Sequence, residues 1–228
     1  MSRTLIPSIF NDVIGPVMRG TSSSHSAASV RIGRLVYDLC GGTPDRVVID
    51  YDSRGSLATT HESQGTDMGL YGGLLGWEPD DSRLPTSPSA LRAAGTSIEV
   101  RTPRLDDPHP NTYRIHVERE TIQHDVVALS TGGGMIELVS IDGVPLTLFG
   151  DYSTTVFVVE QDPQAIVDFL AQESDVDTVT ICGEGPWLVL VCADHFVEIP
   201  SPACNASIVD THRLGPVLPV LSRRETAV

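Results

Sequence analysis

Apolar residues at Ala28, Ile32, Leu35, Val36 and Leu39 recur at helical spacing and share one face. Arg31, Arg34 and Asp38 fall on the opposite face, so a surface helix with a polar exterior is expected. Gly41-Gly42, followed by Pro44, supplies a left-handed stop, and Ser22, Ser23 and Ser24 are candidate N-caps. Residues 45–53 read as a strand. From about Gly65 to Leu75 the pattern predicts a glycine-rich, mostly apolar helix. Glycine costs up to ~1 kcal/mol of helix propensity, so Gly69, Gly72, Gly73 and Gly76 make sense if another element packs closely on that backbone. Residues 78–96 read as a surface excursion around a short helix.

From Ser97 the period changes to two. Residues 97–101, 112–119, 124–132 and 135–142 alternate or run apolar with β-branched side chains, with glycine-bearing turns between several of them. The expected fold class is α+β: an antiparallel sheet carrying the earlier helices on one face. After Gly150 a second unit is expected. Strand 154–160, helix 163–173, strands 178–182 and 187–193, helix 206–212 and strand 215–221 give a ferredoxin-like βαββαβ order. The expected division is 1–149, 150–221 and a loose tail, 222–228.

Composition removes several function classes. A formal charge of −15 argues against a nucleic-acid partner, which requires clustered cations. The acidity is uneven: residues 1–54 balance at +1, which leaves −16 on the remainder, so an anionic small molecule is repelled least by the N-terminal region. No apolar run reaches the ~20 residues of a membrane span, and the N-terminus lacks signal-peptide features, so a cytoplasmic location is expected. The chain contains no lysine, which excludes a lysine-linked pyridoxal phosphate and a Walker-type phosphate loop on this chain. Cys40, Cys182, Cys192 and Cys204 stand singly without a C-x-x-C pair; buried thiols are expected, not a zinc or iron–sulfur ligand set.

Residues 20–34, "GTSSSHSAASVRIGR", place three serines and a histidine at the first helix start. Unpaired N–H groups there carry partial positive charge, serine hydroxyls add donors, and His25 can move a proton near neutral pH. The stretch fits a carboxylate site for an amino or hydroxy acid. It fits a multiply capped helix equally well.

The wider pattern tips that balance. "SIFNDVIGPVMRGTSSSHSAASVRIGRL" resembles the opening of the β chain of iron–sulfur-dependent L-serine dehydratases. "GSLATTHESQGTD" (55–67) is similar to the family segment G-S-x-A-x-T-x-K-G-H-G-T-D, and "GGLLG" follows it as in the family. "PHPNT" (108–112) and "STGGGMIEL" (130–138) complete the ordered matches, which together cover roughly residues 8–148. The resemblance implies a two-part lyase. A separate cysteine-rich α chain would hold a 4Fe-4S cluster, and this β chain would complete the site for eliminating water from L-serine or a related β-hydroxy amino acid. A hetero-oligomer is implied, and a homodimer through the C-terminal unit is left open.

By motif position, Ser22, Ser23, Ser24 and His25 would form a carboxylate-binding and proton-handling edge. Thr66 and Asp67 lie at another helix start, where Asp67 would orient the substrate ammonium or simply cap the helix. His109 and Asn111 sit in a proline-flanked loop that presents side chains or fixes a turn. Gln64 stands where the family has histidine, and an amide hydrogen-bonds but does not shuttle protons. His61, three residues earlier, would need the loop to repack to take its place. Thr21 replaces the proline that usually precedes the serines. A changed substrate is therefore a second reading, and a stand-alone amino-acid-binding regulatory module is a third. The C-terminal unit resembles an ACT-type regulatory domain, but Gln164 occupies the turn where that type carries glycine; a packing or dimerising role is expected. His116, His124, His195 and His212 receive no role, and Trp77 and Trp187 are expected to pack.

Overall fold

The computed structural model describes residues 20, 22–172, 175–199 and 207–217; residues 1–19, Thr21, Cys204 and the tail 222–228 lie outside the described residues. The described residues begin with α1 (Ser23–Leu39), β1 (Arg46–Asp50), α2 (Leu57–Thr60) and α3 (Thr66–Leu74). A 3-10 turn (Leu84–Thr86) leads into α4 (Ser87–Ala93). Five strands follow: β2 (Ser97–Arg101), β3 (Thr112–Arg119), β4 (Ile122–Gly132), β5 (Met135–Ile141) and β6 (Val144–Leu148). The remainder comprises β7 (Ser153–Val159), α5 (Gln164–Leu170), β8 (Val176–Cys182), β9 (Trp187–Ala193) and β10 (Ile208–Leu214).

The fold is α+β, as the periodicity predicts. The first sheet has the order β2-β1-β3-β4-β5-β6 and is mixed: β1 and β2 run parallel and the other neighbours antiparallel. This corrects the expected antiparallel sheet. Alternation marks a strand but not its neighbour's direction, and the connection through α2, α3 and α4 is long enough for a crossover. Strand β6, which the pattern did not single out, carries Pro145 at the sheet edge, where a missing N–H is tolerated.

Helix α1 corrects a second expectation. Arg31, placed on the polar face by spacing, is 2 % exposed, because α1 is covered by the sheet on one side and α3 on the other. Helices α1 and α3 run in the same direction. Gly69 lies against Ser26 and Ser29, Gly73 against Val30 and Gly33, and Gly76 against Tyr37. A Cβ on Gly33 would stand 2.5 Å from the Leu70 carbonyl oxygen and 2.9 Å from Gly73 Cα. The glycines that weaken α3 as an isolated helix are what let its backbone touch α1.

The second sheet, ordered β10-β7-β9-β8, is antiparallel throughout. Its strands alternate between two cores. Val156, Leu188 and Leu190 join the main core with α1 and the first sheet. Phe157, Val159, Val189 and Val191 face a smaller core with Ile166 and Leu170 of α5. Of the predicted helix at 206–212, residues 208–212 are instead part of β10, where the β-branched Ile208 and Thr211 pair along β7. Residues 215–217 are not a strand, and 218–221 lie outside the described residues. Asp38 accepts the Gly215 N–H at 2.8 Å, and His124 meets His212 edge-on at 5.0 Å between ring centroids. These contacts tie β10 to α1 and β4.

The α1–α3 contact yields a stability prediction. Alanine in place of Gly33 improves helix propensity by ~1 kcal/mol. Gly33→Ala should nevertheless lower stability by about 1–3 kcal/mol, because the new methyl meets backbone and not a movable side chain. A denaturant midpoint that falls confirms this, and one that rises refutes the close contact.

Candidate functional site

Strand register places three of the singled-out stretches at one end of the first sheet. Strand β1 ends there at Asp50, opposite Arg114; β3 begins there at Thr112, opposite Leu129; and Gly132 and Met135 close the β4–β5 turn. The buried Arg31 donates to the Gly134 carbonyl and so fixes that turn to α1. Burial lowers the Arg31 pKa to about 10, still well above neutral pH, so the ion remains charged. At the opposite end of the sheet, Arg119 donates to the Cys40 and Gly41 carbonyls at the C-terminus of α1. The α1 N-terminus therefore belongs to the end that carries the loops. Because α3 runs parallel to α1, its N-terminus lies beside it.

Ser22 is the N-cap of α1, but its side chain caps no backbone N–H. The Ser22 hydroxyl instead meets His25 Nδ1 at 2.7 Å. Ser26 and Ser29 turn their hydroxyls back to carbonyls of their own helix, with Ser26 bonding Ser22 O at 3.1 Å and Ser29 bonding His25 O at 2.8 Å. Ser24 and His25 are partly exposed, and the Ser23 side chain lies outside the described residues. The first-turn N–H groups of α1 are thus not covered by the cap hydroxyl, and a serine–imidazole pair stands beside them.

Gly65, the N-cap of α3, has φ +81°, a conformation glycine adopts without strain. Asp67 does not act as the cap. Its Oδ2 lies 2.7 Å from His61 Nδ1, and its Oδ1 accepts a long 3.5 Å bond from the Tyr51 hydroxyl. Burial pushes the Asp67 carboxyl above the usual aspartate range, while the His61 hydrogen bond and charge pull it back. The His61 ring packs on Tyr51 at 5.2 Å, and Tyr51 meets Tyr113 edge-on at 5.6 Å. Burial raises the pKa of both tyrosines, so both hydroxyls stay neutral at ordinary pH. Thr66 is fully buried beside this group, and its Oγ1 has no hydrogen-bond partner among the described residues. Gln64 is partly exposed in the α2–α3 connection, its backbone N–H bonded to Thr60 O at 2.9 Å.

The loop before β3 braces the segment that carries α2. Asn111 accepts from the Ser56 hydroxyl, and the Ser56 N–H donates to Pro110 O at 2.9 Å. His109 folds back on its own loop, where Nδ1 accepts the Asn111 N–H at 3.2 Å, the turn-fixing alternative for this residue. Asp52 anchors the same loop by accepting N–H groups of Arg54 at 3.0 Å, Leu105 at 3.3 Å and Asp107 at 2.7 Å. The structure therefore joins Ser22 to His25 and Asp67 to His61, sets the two helix starts side by side, and gives Asn111 a bracing contact. Sequence reasoning left out Tyr51, Tyr113 and Arg31. Tyr51 had one legible signal, an aromatic residue directly after a strand, whereas the buried position of Arg31 depends on its contact with the distant β4–β5 turn.

Among the described residues, Cys40 and Cys182 are buried, Cys192 is partly buried, and no group of three or more His, Cys, Asp or Glu side chains is placed to hold a metal ion. These residues do not form a cradle for an iron–sulfur cluster. No helix among them is long and apolar enough to cross a membrane.

The fold and the polar cluster at one sheet end define an α+β chain with two adjoining helix starts. The chain is 39 % identical over 151 residues to the probable L-serine dehydratase, beta chain, of Bacillus subtilis (strain 168), a match covering 66 % of this chain and 67 % of that protein. It is 36 % identical over 145 residues to the L-serine dehydratase, beta chain, of Peptoniphilus asaccharolyticus, covering 63 % of this chain and 64 % of that one. No family model matches the chain. The chain belongs to the L-serine dehydratase β-chain family.

Backbone N–H bonds from Arg54, Asp107 and Leu105 hold the Asp52 carboxyl below the usual aspartate range, against the opposing effect of burial. With its folded pKa depressed, this contribution to stability is complete above the unfolded value of about 4 and is lost as pH falls through the folded value. Asp52→Asn should be destabilised at pH 7, and its gap from the wild type should close on acidification. Chemical denaturation at pH 7 and pH 3 measures both; a gap that widens at pH 3 refutes the assignment.

Proposed function

We propose that this chain is the β subunit of a serine-dehydratase-like lyase and completes the active site of a separate α subunit. The observation that supports this most directly is the pair of adjoining helix N-termini, one with its cap hydroxyl turned to His25, in a chain of this family. Two parallel helix starts add their partial positive charges, which suits a substrate carboxylate. Ser22, Ser23 and Ser24 would add hydroxyl donors, and His25 would hold or move a proton beside them. Thr66 and Asp67 line the second start, and Asn111 and His109 hold the loop that closes the sheet end.

The partner would be a cysteine-rich α chain whose 4Fe-4S cluster supplies Lewis acidity when bound. The substrate would be L-serine or another β-hydroxy amino acid: water leaves first, and the resulting enamine hydrolyses to a 2-oxo acid and ammonia. Gln64 favours a second reading on one specific point. With an amide at that position, the enzyme would act on a β-substituted amino acid other than serine. Residues 150–221 are read as an ACT-like unit, supported by the order β10-β7-β9-β8 and by α5 on one face. Gln164 at its first turn and the burial of its other face in the main core fit packing better than effector sensing.

The test is anaerobic co-expression with the α chain from the same source, followed by assay of 2-oxo acid from β-hydroxy amino acids. The complex should turn over, and His25→Ala and Ser24→Ala should each reduce kcat/KM at least about tenfold, roughly 1.4 kcal/mol, with co-purification intact. A complex that assembles but yields no 2-oxo acid from any β-substituted amino acid would overturn the reading.

A further inference from the structure

We propose that His61, positioned by Asp67, is the proton-transfer residue this chain brings to the reaction, so that the imidazole absent at position 64 is supplied three residues earlier. The inference rests on the lyase reading above and assigns its acid–base group. Sequence order alone argues against it, since position 61 would need its loop to repack. In the structure α2 ends at Thr60 and the following turn brings His61 back over α3, where its backbone carbonyl accepts the Asp67 N–H at 3.2 Å.

The geometry is that of an oriented imidazole. Nδ1–H donates to Asp67 Oδ2 at 2.7 Å, which assigns the tautomer and leaves the Nε2 lone pair for exchange in the neutral ring. Both side chains are 14 % exposed, so the pair is largely shielded yet still reaches solvent. Three elements press on it. Tyr51, after β1, covers one ring face; Asp67 and Tyr71 come from α3; and Tyr113 comes from β3 behind Tyr51. Glu62 is a further charged neighbour of Asp67, Arg92 acts on Tyr71, and the tyrosines are held neutral by burial. A carboxylate that holds one ring nitrogen while an aromatic ring fixes the plane restricts the imidazole to one orientation, as a general base requires.

The proposed step balances without an external oxidant or reductant. Nε2 takes the Cα proton of the β-hydroxy amino acid, and the C–H electron pair becomes the Cα=Cβ bond. The Cβ–O bond breaks with its pair on oxygen. The imidazolium proton then passes to that oxygen, releasing water and restoring the neutral ring.

The experiment uses the co-purified complex and, separately, the full-length chain. If wild-type complex shows no turnover on the β-substituted amino acids, the lyase reading fails, whatever His61 does. Given turnover, His61→Gln should lower kcat about 100-fold or more with KM little changed. His61→Gly should be rescued at least about fivefold by added imidazole. Asp67→Asn, which keeps the shape but removes the carboxylate facing the ring, should move the acid limb of the kcat profile to lower pH. A merely structural Asp67 would lower kcat without moving that limb. In the isolated chain, NMR at fixed pH should show the His61 ring-proton chemical shifts moving in Asp67→Asn. Retention of kcat within twofold in His61→Gln, or an acid limb unmoved by Asp67→Asn, overturns the proposal, as do His61 ring shifts unchanged by that substitution.

Discussion

The backbone-to-backbone contact between α1 and α3 governs the rest of the molecule. Gly33 and Gly73 meet where any side chain would strike main-chain atoms, and Gly69 admits Ser26 and Ser29. Helices this close and running the same way must present their N-termini together. Antiparallel packing at the same distance would have placed a negative helix end beside a positive one. The closeness also explains how a helix with three glycines and little amphipathic contrast stays folded, since tertiary burial offsets its poor intrinsic propensity.

That constraint links sheet to site. Arg31 is buried on α1, and its guanidinium finds a carbonyl on the β4–β5 turn. Tyr51, directly after β1, packs its ring on His61 and edge-on against Tyr113 of β3, next to the α3 start. Asp52 and Asn111 then tie the loops on either side to the same sheet end. The second sheet contributes from behind: Val156 on β7 and Leu188 and Leu190 on β9 enter the core that backs α1, so α1 is gripped on two sides before any partner arrives.

Much of the fold was legible in the residues. The first helix with its glycine stop, the strands from Ser97 to Ile141 and the strand–helix–strand–strand run after Gly150 all follow from period and punctuation. The misses share one cause. The parallel β1–β2 pair, the edge strand β6 and the strand at 208–214 depend on which neighbour supplies hydrogen bonds, and local pattern carries little of that information. Of the candidate site, Ser22 with His25 could be anticipated because both lie within one helical turn. Asp67 was given a cap as one alternative, whereas its side-chain partners are His61 and Tyr51.

By itself the sequence determined the class of chain, the helix start rich in donors, the absence of lysine and the loss of histidine at position 64, because these are matters of residue identity and short spacing. Only the tertiary structure decided which helix starts adjoin, that Arg31 is internal, and that an imidazole at position 61 lies on Asp67. Those facts depend on how closely α3 approaches α1 and how the turn after α2 folds back. Both are set by steric fit between segments distant along the chain, which no local periodicity records.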